Sequence, residues 1–278
     1  MATSDVSQKP MVDSRGKIRI WSTPSKRLLL RKHHFPRTDP LTDQEQPARR
    51  RILYGRRQGR KLRPGQRALV ETLLPSIEID LPAGSEDLSP RALFGAQTDQ
   101  IWLEIGFGGG EHLAWQAKNN PRTGIIGCEP FINGVVKLLG NIRDDDLGNV
   151  RLYRDDARQL VECLPDASID RAFILFPDPW PKTRHNKRRI VSTPVIDRLA
   201  GALRDGAELR IATDDPSYLE WILWHMQKQP AFAWQARAPQ GWRDRPDDWP
   251  ATRYEQKAAK AGRSSAFLTY IRQDRQAG

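Results

Sequence analysis

Ile101-Trp102-Leu103-Glu104-Ile105-Gly106-Phe107-Gly108-Gly109-Gly110 is the stretch around which the chain is organised. Five mostly apolar residues run straight into four glycines, and Glu111–Asn119 behind them carries a helical pattern. Strand, tight turn and helix form the opening unit of a nucleotide-type binding fold. Glycine lets a ligand approach the backbone, and the open N–H groups of the helix end attract polar ligand atoms. A glycine turn alone is weak, because its bland reading is a surface loop between two elements.

Working outward, short apolar runs alternate with helical segments from Thr98 onward, which predicts βαβ units and a doubly wound, mainly parallel α/β sheet. Strands are expected at 101–105, 124–128, 150–153, 171–176 and 208–212, with two more at 232–237 and 266–271. The Ala-Phe-Ile-Leu-Phe run at 172–176 suits a central strand buried on both faces. Thr193-Pro194 and Asp215-Pro216 each read as an N-cap followed by proline at the first helical position. A short helix at 66–74 is stopped by Pro75.

Upstream, residues 1–48 are polar and broken by Pro10, Pro24, Pro36 and Pro40, with Leu28-Leu29-Leu30 the only apolar knot, so a disordered extension is expected. Residues 49–97 read as a basic arm and connector, and 98–278 as the ligand-binding domain. The arm interleaves arginines with glycine and a lone Tyr54, a composition suited to following a phosphate backbone. Net charge is +11, with eighteen Lys and Arg against five Asp and Glu before residue 71 and a second basic cluster at 182–189. That surplus points to a polyanion, and without a basic amphipathic anchor the expected one is nucleic acid.

No run of eighteen apolar residues and no hydrophobic leader is present, so neither a membrane span nor secretion is indicated and a cytoplasmic protein is expected. Cys128 and Cys163 lack partners at metal-ligand spacing and read as reduced, buried thiols; no metal is expected.

In an open parallel sheet, ligands bind at the carboxyl ends of the strands, and here those ends carry a row of acids. Glu104 lies inside the first strand, Glu129 ends the second, Asp155 and Asp156 follow the third, Asp178 the fourth, and Asp214 and Asp215 the fifth. An acid at the place of Glu129 can accept both ribose hydroxyls of a nucleoside. The dinucleotide fingerprint needs glycine at its sixth position, which counted from Gly106 is Glu111, a charge that repels pyrophosphate. Gly106, Gly108 and Gly110 followed by an acid suit a cofactor without phosphates and with a positive centre, such as S-adenosylmethionine.

Phe176-Pro177-Asp178-Pro179-Trp180-Pro181-Lys182 and Arg184-His185-Asn186-Lys187-Arg188-Arg189 follow the fourth strand. With the glycine stretch, Ala212-Thr213-Asp214 and Thr252-Arg253-Tyr254-Glu255, they resemble the tRNA (guanine-N7-)-methyltransferase family, in order from about 101 to 271. Arg56-Arg57-Gln58-Gly59-Arg60 and Gln66 also look like that family's basic segment. The resemblance implies a Rossmann-like methyltransferase sheet and transfer of a methyl group from S-adenosylmethionine to N7 of a guanine in the variable loop of tRNA. It implies that Glu104, Gly106, Gly108, Gly110, Glu129, Asp156 and Asp178 line the cofactor site, with Asp178 also catalytic. Lys182, Asp214, Thr252, Arg253, Tyr254 and Glu255 would contact the substrate, and Arg184, His185, Asn186, Lys187, Arg188 and Arg189 the RNA. Arg253 and Tyr254 depart from the family's lysine and phenylalanine, and the pair Asp155-Asp156 leaves the third cofactor contact open.

Guanine N7 carries a lone pair and no proton, so its methylation needs positioning more than a general base. Asp178 could orient the base, offset the charge that develops on it, or both. Trp180 reads as packing slightly ahead of base stacking, Trp221 and Trp224 as core, and Trp242 and Trp249 as packing or RNA clamps. His33, His34, His112 and His225 read as surface or packing residues. The rivals are a methyltransferase of another RNA or of an exocyclic amine, a non-catalytic RNA-binding protein and, more distantly, a nicotinamide dehydrogenase. A monomer and a homodimer both remain open.

Overall fold

The computed structural model describes residues 54–82 and 86–275, with the backbone of 11–12 and 18–19. Two units divide the chain, Met1–Ile52 and Leu53–Gly278. In the first, Met11–Val12 pairs antiparallel with Ile18–Arg19. The rest of the 1–48 extension, with its leucine knot and His33 and His34, and residues 49–53 of the arm lie outside the described residues.

The second unit is built on seven strands: β1 (Gln100–Ile105), β2 (Thr123–Cys128), β3 (Val150–Tyr153), β4 (Ile169–Leu175), β5 (Leu203–Thr213), β6 (Phe232–Trp234) and β7 (Ala266–Arg272). Their order is β3-β2-β1-β4-β5-β7-β6; the first five are parallel and β7 is antiparallel to both neighbours. The doubly wound expectation holds. The chain steps from β1 outward to β3 and returns to β4 on β1's other side, so the crevice where open sheets bind ligands lies at the carboxyl ends of β1 and β4.

Helices α1 (Pro64–Thr72), α2 (Glu111–Asn119), α3 (Ile132–Asp144), α4 (Ala157–Glu162), α5 (Thr193–Ala202), α6 (Pro216–Gln227), α7 (Gln240–Arg243) and α8 (Arg253–Lys260) connect or flank the strands. Side chains alternate along β1. Ile101, Leu103 and Ile105 enter one core with α4, α5 and α6, while Trp102 enters another with α2 and α3. Glu104 shares the parity of Trp102 and so turns toward α2. In β4, Ala172 and Ile174 pack on one side and Phe173 and Leu175 on the other, the burial expected of a central strand. The outer edge of β3 is covered: Leu152 N–H donates to Ile77 O and Ile79 N–H to Leu152 O, both at 2.8 Å. Among the described residues, no helix is long and apolar enough to cross a membrane.

Several local expectations need correction. Strand β5 begins at Leu203 rather than 208, because Asp205-Gly206 is not a turn ahead of it; Gly206 is left-handed within a strand whose register against β4 shifts between Ile169 and Arg171. The N-cap of α5 is Ser192 rather than Thr193, whose hydroxyl instead meets His225 Nδ1 at 3.0 Å. Asp215 does cap α6, accepting the Tyr218 N–H at 2.8 Å. Trp224 is not core. The buried stripe of α6 is Tyr218, Ile222, His225 and Met226, which turns Trp224 outward, 51% exposed, with Lys228 Nζ 3.3 Å above its ring. Trp242 and Trp249 are buried, and Cys163 is only half-buried whereas Cys128 is enclosed.

Candidate active site

The turn after β1 places three glycines, Gly106, Gly108 and Gly110, at φ of 75°, 57° and 76°. Only glycine holds this left-handed backbone without strain, and the turn is also crowded: a Cβ on Gly134 of α3 would meet Gly108 O at 2.0 Å. The Gly108 N–H donates to Glu129 Oε2 at 2.9 Å and the Phe131 N–H to Oε1 at 3.0 Å. One backbone bond to each oxygen leaves a second lone pair on each, enough to accept from both hydroxyls of a vicinal diol. The ribose hydroxyls of S-adenosylmethionine fit this acceptor pair. Burial pushes the Glu129 carboxyl above its ordinary 4.5, the Phe131 and Gly108 N–H bonds pull it back, and the Asp178 charge adds to the rise. Glu129 and Asp178 therefore share one electrostatic site.

Asp178 is exposed at the carboxyl end of β4. Its loop is strained on both sides, with Phe176 at φ 49° and Trp180 at φ 45°, positions unfavourable for bulky residues. Arg189 holds it there. The Arg189 Nε donates to Pro179 O at 2.8 Å and Nη2 to Ser217 Oγ at 3.0 Å, while its guanidinium lies over Tyr218 and Trp221. This corrects one expectation: Arg189 is 2% exposed and grips its own loop rather than facing solvent as an RNA contact. Arg184 and Lys187 are exposed, as is Lys182. Arg188 lies 5.1 Å from the Tyr54 ring and 4.9 Å from the Trp180 ring, and His185 meets Trp180 edge-on, so Trp180 packs within the basic loop. Lysine at position 189 has neither the planar face for two rings nor the fork for two acceptors. Arg189→Lys is expected to lower kcat about tenfold with cofactor affinity unchanged, read by steady-state methyl transfer and calorimetry.

Thr252–Glu255 comes to the same place from the far end of the chain. Thr252 caps α8 through the Glu255 N–H at 3.3 Å. A Cβ on Gly108 would sit 2.7 Å from the Tyr254 hydroxyl, and the Arg253 Nε reaches Glu111 Oε1 at 3.3 Å. The start of α8 therefore lies directly on the glycine turn, a contact invisible in a sequence where the two are some 145 residues apart. Glu111, read as a repellent for pyrophosphate, has its charge engaged by Arg253.

The other acids of the row do different work. Glu104 is buried with its Oε2 2.7 Å from His112 Nδ1. Asp156 caps α4, accepting the Arg158 N–H at 3.0 Å, and also pairs with the Arg158 guanidinium at 3.1 Å. Asp155 pairs with Arg57 at 2.8 Å and Asp214 with Arg263 at 2.7 Å. The described part of the basic arm is thus tied to the site: besides Arg57, the Gly59 N–H donates to Asn133 Oδ1, and Asn133 Nδ2 to Arg60 O, each at 2.7 Å. Between arm and sheet edge opens a cavity of about 540 Å³ lined by Arg57, Leu62, Ile79, Pro130, Tyr153 and Asp155. Sequence reasoning missed the pairing of His112 with Glu104; asking which first-turn residue of α2 faces a buried acid on β1 could have found it. Among the described residues, no group of three His, Cys, Asp or Glu is arranged to hold a metal ion.

A family model described as a putative methyltransferase matches residues 98–268. The tRNA (guanine-N(7)-)-methyltransferase of Rhodospirillum rubrum is 48% identical over 84% of this chain and 92% of its own length. That of Agrobacterium fabrum is 46% identical over 84% of this chain and 100% of its own. Identity at this level across nearly the whole of both relatives, on a sheet whose glycine turn, Glu129 and Asp178 converge, means that the chain belongs to the tRNA (guanine-N(7)-)-methyltransferase family.

Proposed function

We propose that this protein transfers the methyl group of S-adenosylmethionine to N7 of a guanine in the variable loop of tRNA, in the cytoplasm. The observation that carries this is the exposed Asp178 carboxylate on a strained loop at the switch point, beside Glu129 and followed by the exposed cations Lys182, Arg184 and Lys187. When bound, the cofactor supplies a methyl group on a sulfonium. The N7 lone pair forms the new N–C bond as the S–C bond breaks with its electrons remaining on sulfur, and no proton moves. Positive charge then resides on the purine, and Asp178 offsets part of it as it develops.

Glu255 supplies a reason for guanine. Its Oε2 is buried without a hydrogen-bond donor, 3.8 Å from Arg245 Nη1. Guanine swung out of its stack presents two N–H donors on its Watson–Crick edge, which match a carboxylate and leave N7 on the opposite edge for the methyl group. Glu255→Gln is expected to raise KM for tRNA about tenfold with KM for S-adenosylmethionine unchanged. Lys182, Arg184 and Lys187, with Arg56, Arg60 and Lys61 of the 49–97 arm, are exposed and grip phosphates on either side of the mouth. The test is incubation of unmodified tRNA with cofactor and nucleoside mass spectrometry: 7-methylguanosine at the variable loop supports the reading, and a methylated exocyclic amine or no product removes it.

A further inference from the structure

Behind the glycine turn lies a buried chain of polar groups that none of the steps above uses. Glu104 Oε2 lies 2.7 Å from His112 Nδ1, and His112 Nε2 lies 3.1 Å from Gln116 Nε2. Gln116 Nε2 also donates to the Asp248 carbonyl at 2.8 Å, and Gln116 Oε1 accepts from Asn120 Nδ2 at 3.1 Å. Glu104, His112 and Gln116 are each 3% exposed or less. The imidazole stands edge-on to Phe173 and Trp249, with ring centres 4.7 and 5.5 Å away.

Hydrogen-bond bookkeeping fixes the proton. The Asp248 carbonyl demands a donor and the Asn120 amide demands an acceptor, so Gln116 has one orientation. An amide nitrogen only donates, so His112 Nε2 accepts. The ring is then neutral, with its one proton on Nδ1 and donated to Glu104. Donation runs outward from the Gln116 amide, to the Asp248 carbonyl on one side and through His112 to Glu104 on the other. One end lies on β1, two residues before the glycine turn. The other begins the segment that runs through Trp249 to Thr252–Glu255, and Asp248 is anchored in turn by Arg210 at 2.6 Å.

We propose that His112 is a positioning residue that, as the Nδ1–H tautomer, orients Glu104 on the cofactor side and, through Gln116, sets the lie of the 248–255 segment on the RNA side. This rests on the function proposed above. By linkage, each ligand then tightens the other's binding by the same factor.

Three variants of the full chain separate the two halves. His112→Asn keeps a donor near the Nδ1 position and gives up the Nε2 acceptor; Gln116→Met cuts the far link alone; His112→Leu removes both. Calorimetry with S-adenosylmethionine and filter binding with unmodified tRNA, each with and without the other ligand, read the effect, and thermal melts report folding. Gln116→Met and His112→Asn are expected to weaken tRNA binding about fivefold, with cofactor affinity in the absence of RNA within twofold, and to abolish the mutual tightening. His112→Leu weakens cofactor binding about tenfold as well. Unchanged affinities and coupling in Gln116→Met and His112→Asn, or equal losses for both ligands that track a lowered melting temperature, overturn the proposal. The product of the wild-type enzyme, read separately by mass spectrometry, judges the parent function, so the two fail independently.

Discussion

Asp178→Ala is expected to lower kcat about 10²- to 10³-fold while tRNA affinity holds and cofactor affinity changes by no more than a few-fold. The asymmetry follows from where charge appears. Neither guanine nor tRNA gains positive charge on binding; the purine gains it only as the N–C bond forms, so a carboxylate placed there acts on the barrier rather than on the bound state. Asp178→Asn keeps the shape and a polar edge but not the charge, and is expected to lose nearly as much. Single-turnover methyl transfer into unmodified tRNA makes the measurement, and full activity in the alanine variant would remove Asp178 from the mechanism. A second signature belongs to the same variant. Because the Asp178 charge helps to raise the Glu129 carboxyl, its removal moves the acid limb of cofactor binding to lower pH.

Glu129→Gln is expected to weaken S-adenosylmethionine binding about a hundredfold. The change looks conservative but sets donors against donors: Gly108 and Phe131 each aim an N–H at one oxygen, so either orientation of a glutamine amide points its NH₂ at one of them. The turn has to shift or leave a buried donor unpaired, and a ribose acceptor is lost as well. Calorimetry across pH gives the matching result for the wild type. Since burial raises the Glu129 carboxyl above 4.5, acidification protonates it earlier than an ordinary glutamate. Cofactor affinity is therefore full above that raised value and falls as pH drops through it. An acid limb at or below 4.5 would contradict the burial described here.

The sheet was legible because period and punctuation agree. Apolar runs, proline caps and the glycine turn each named the same βαβ units, and each of the seven expected strands is present in the second unit, although β5 starts five residues early and β6 stops at Trp234. What escaped were features decided by neighbours distant in the chain. Arg189 sits in a run of four cations within six residues, and composition alone makes it an RNA ligand; only its folding back onto Pro179, Tyr218 and Trp221 reveals a brace. The acid row was real as a pattern but mixed in role: Asp156 caps a helix and Glu104 is claimed by His112, because a strand end is also where helices start and charges seek partners. Trp221 and Trp224 share a face by spacing, but the buried stripe of Tyr218, Ile222, His225 and Met226 is centred on the far side of Trp221, which puts Trp221 at its margin and Trp224 beyond it.

The place of β7 bears on how the enzyme is made. It pairs with both β5 and β6, and α8, which rests on the glycine turn, comes just before it in the chain. As the polypeptide leaves the ribosome, the glycine turn, Glu129 and Asp178 can assemble with β1 to β5, but β5 remains an open edge until β7 arrives. The half that holds the donor is built early, and the half that meets the acceptor closes last. A nascent chain arrested before residue 253 should therefore expose β5 to chaperones and lack the α8 contact with the turn.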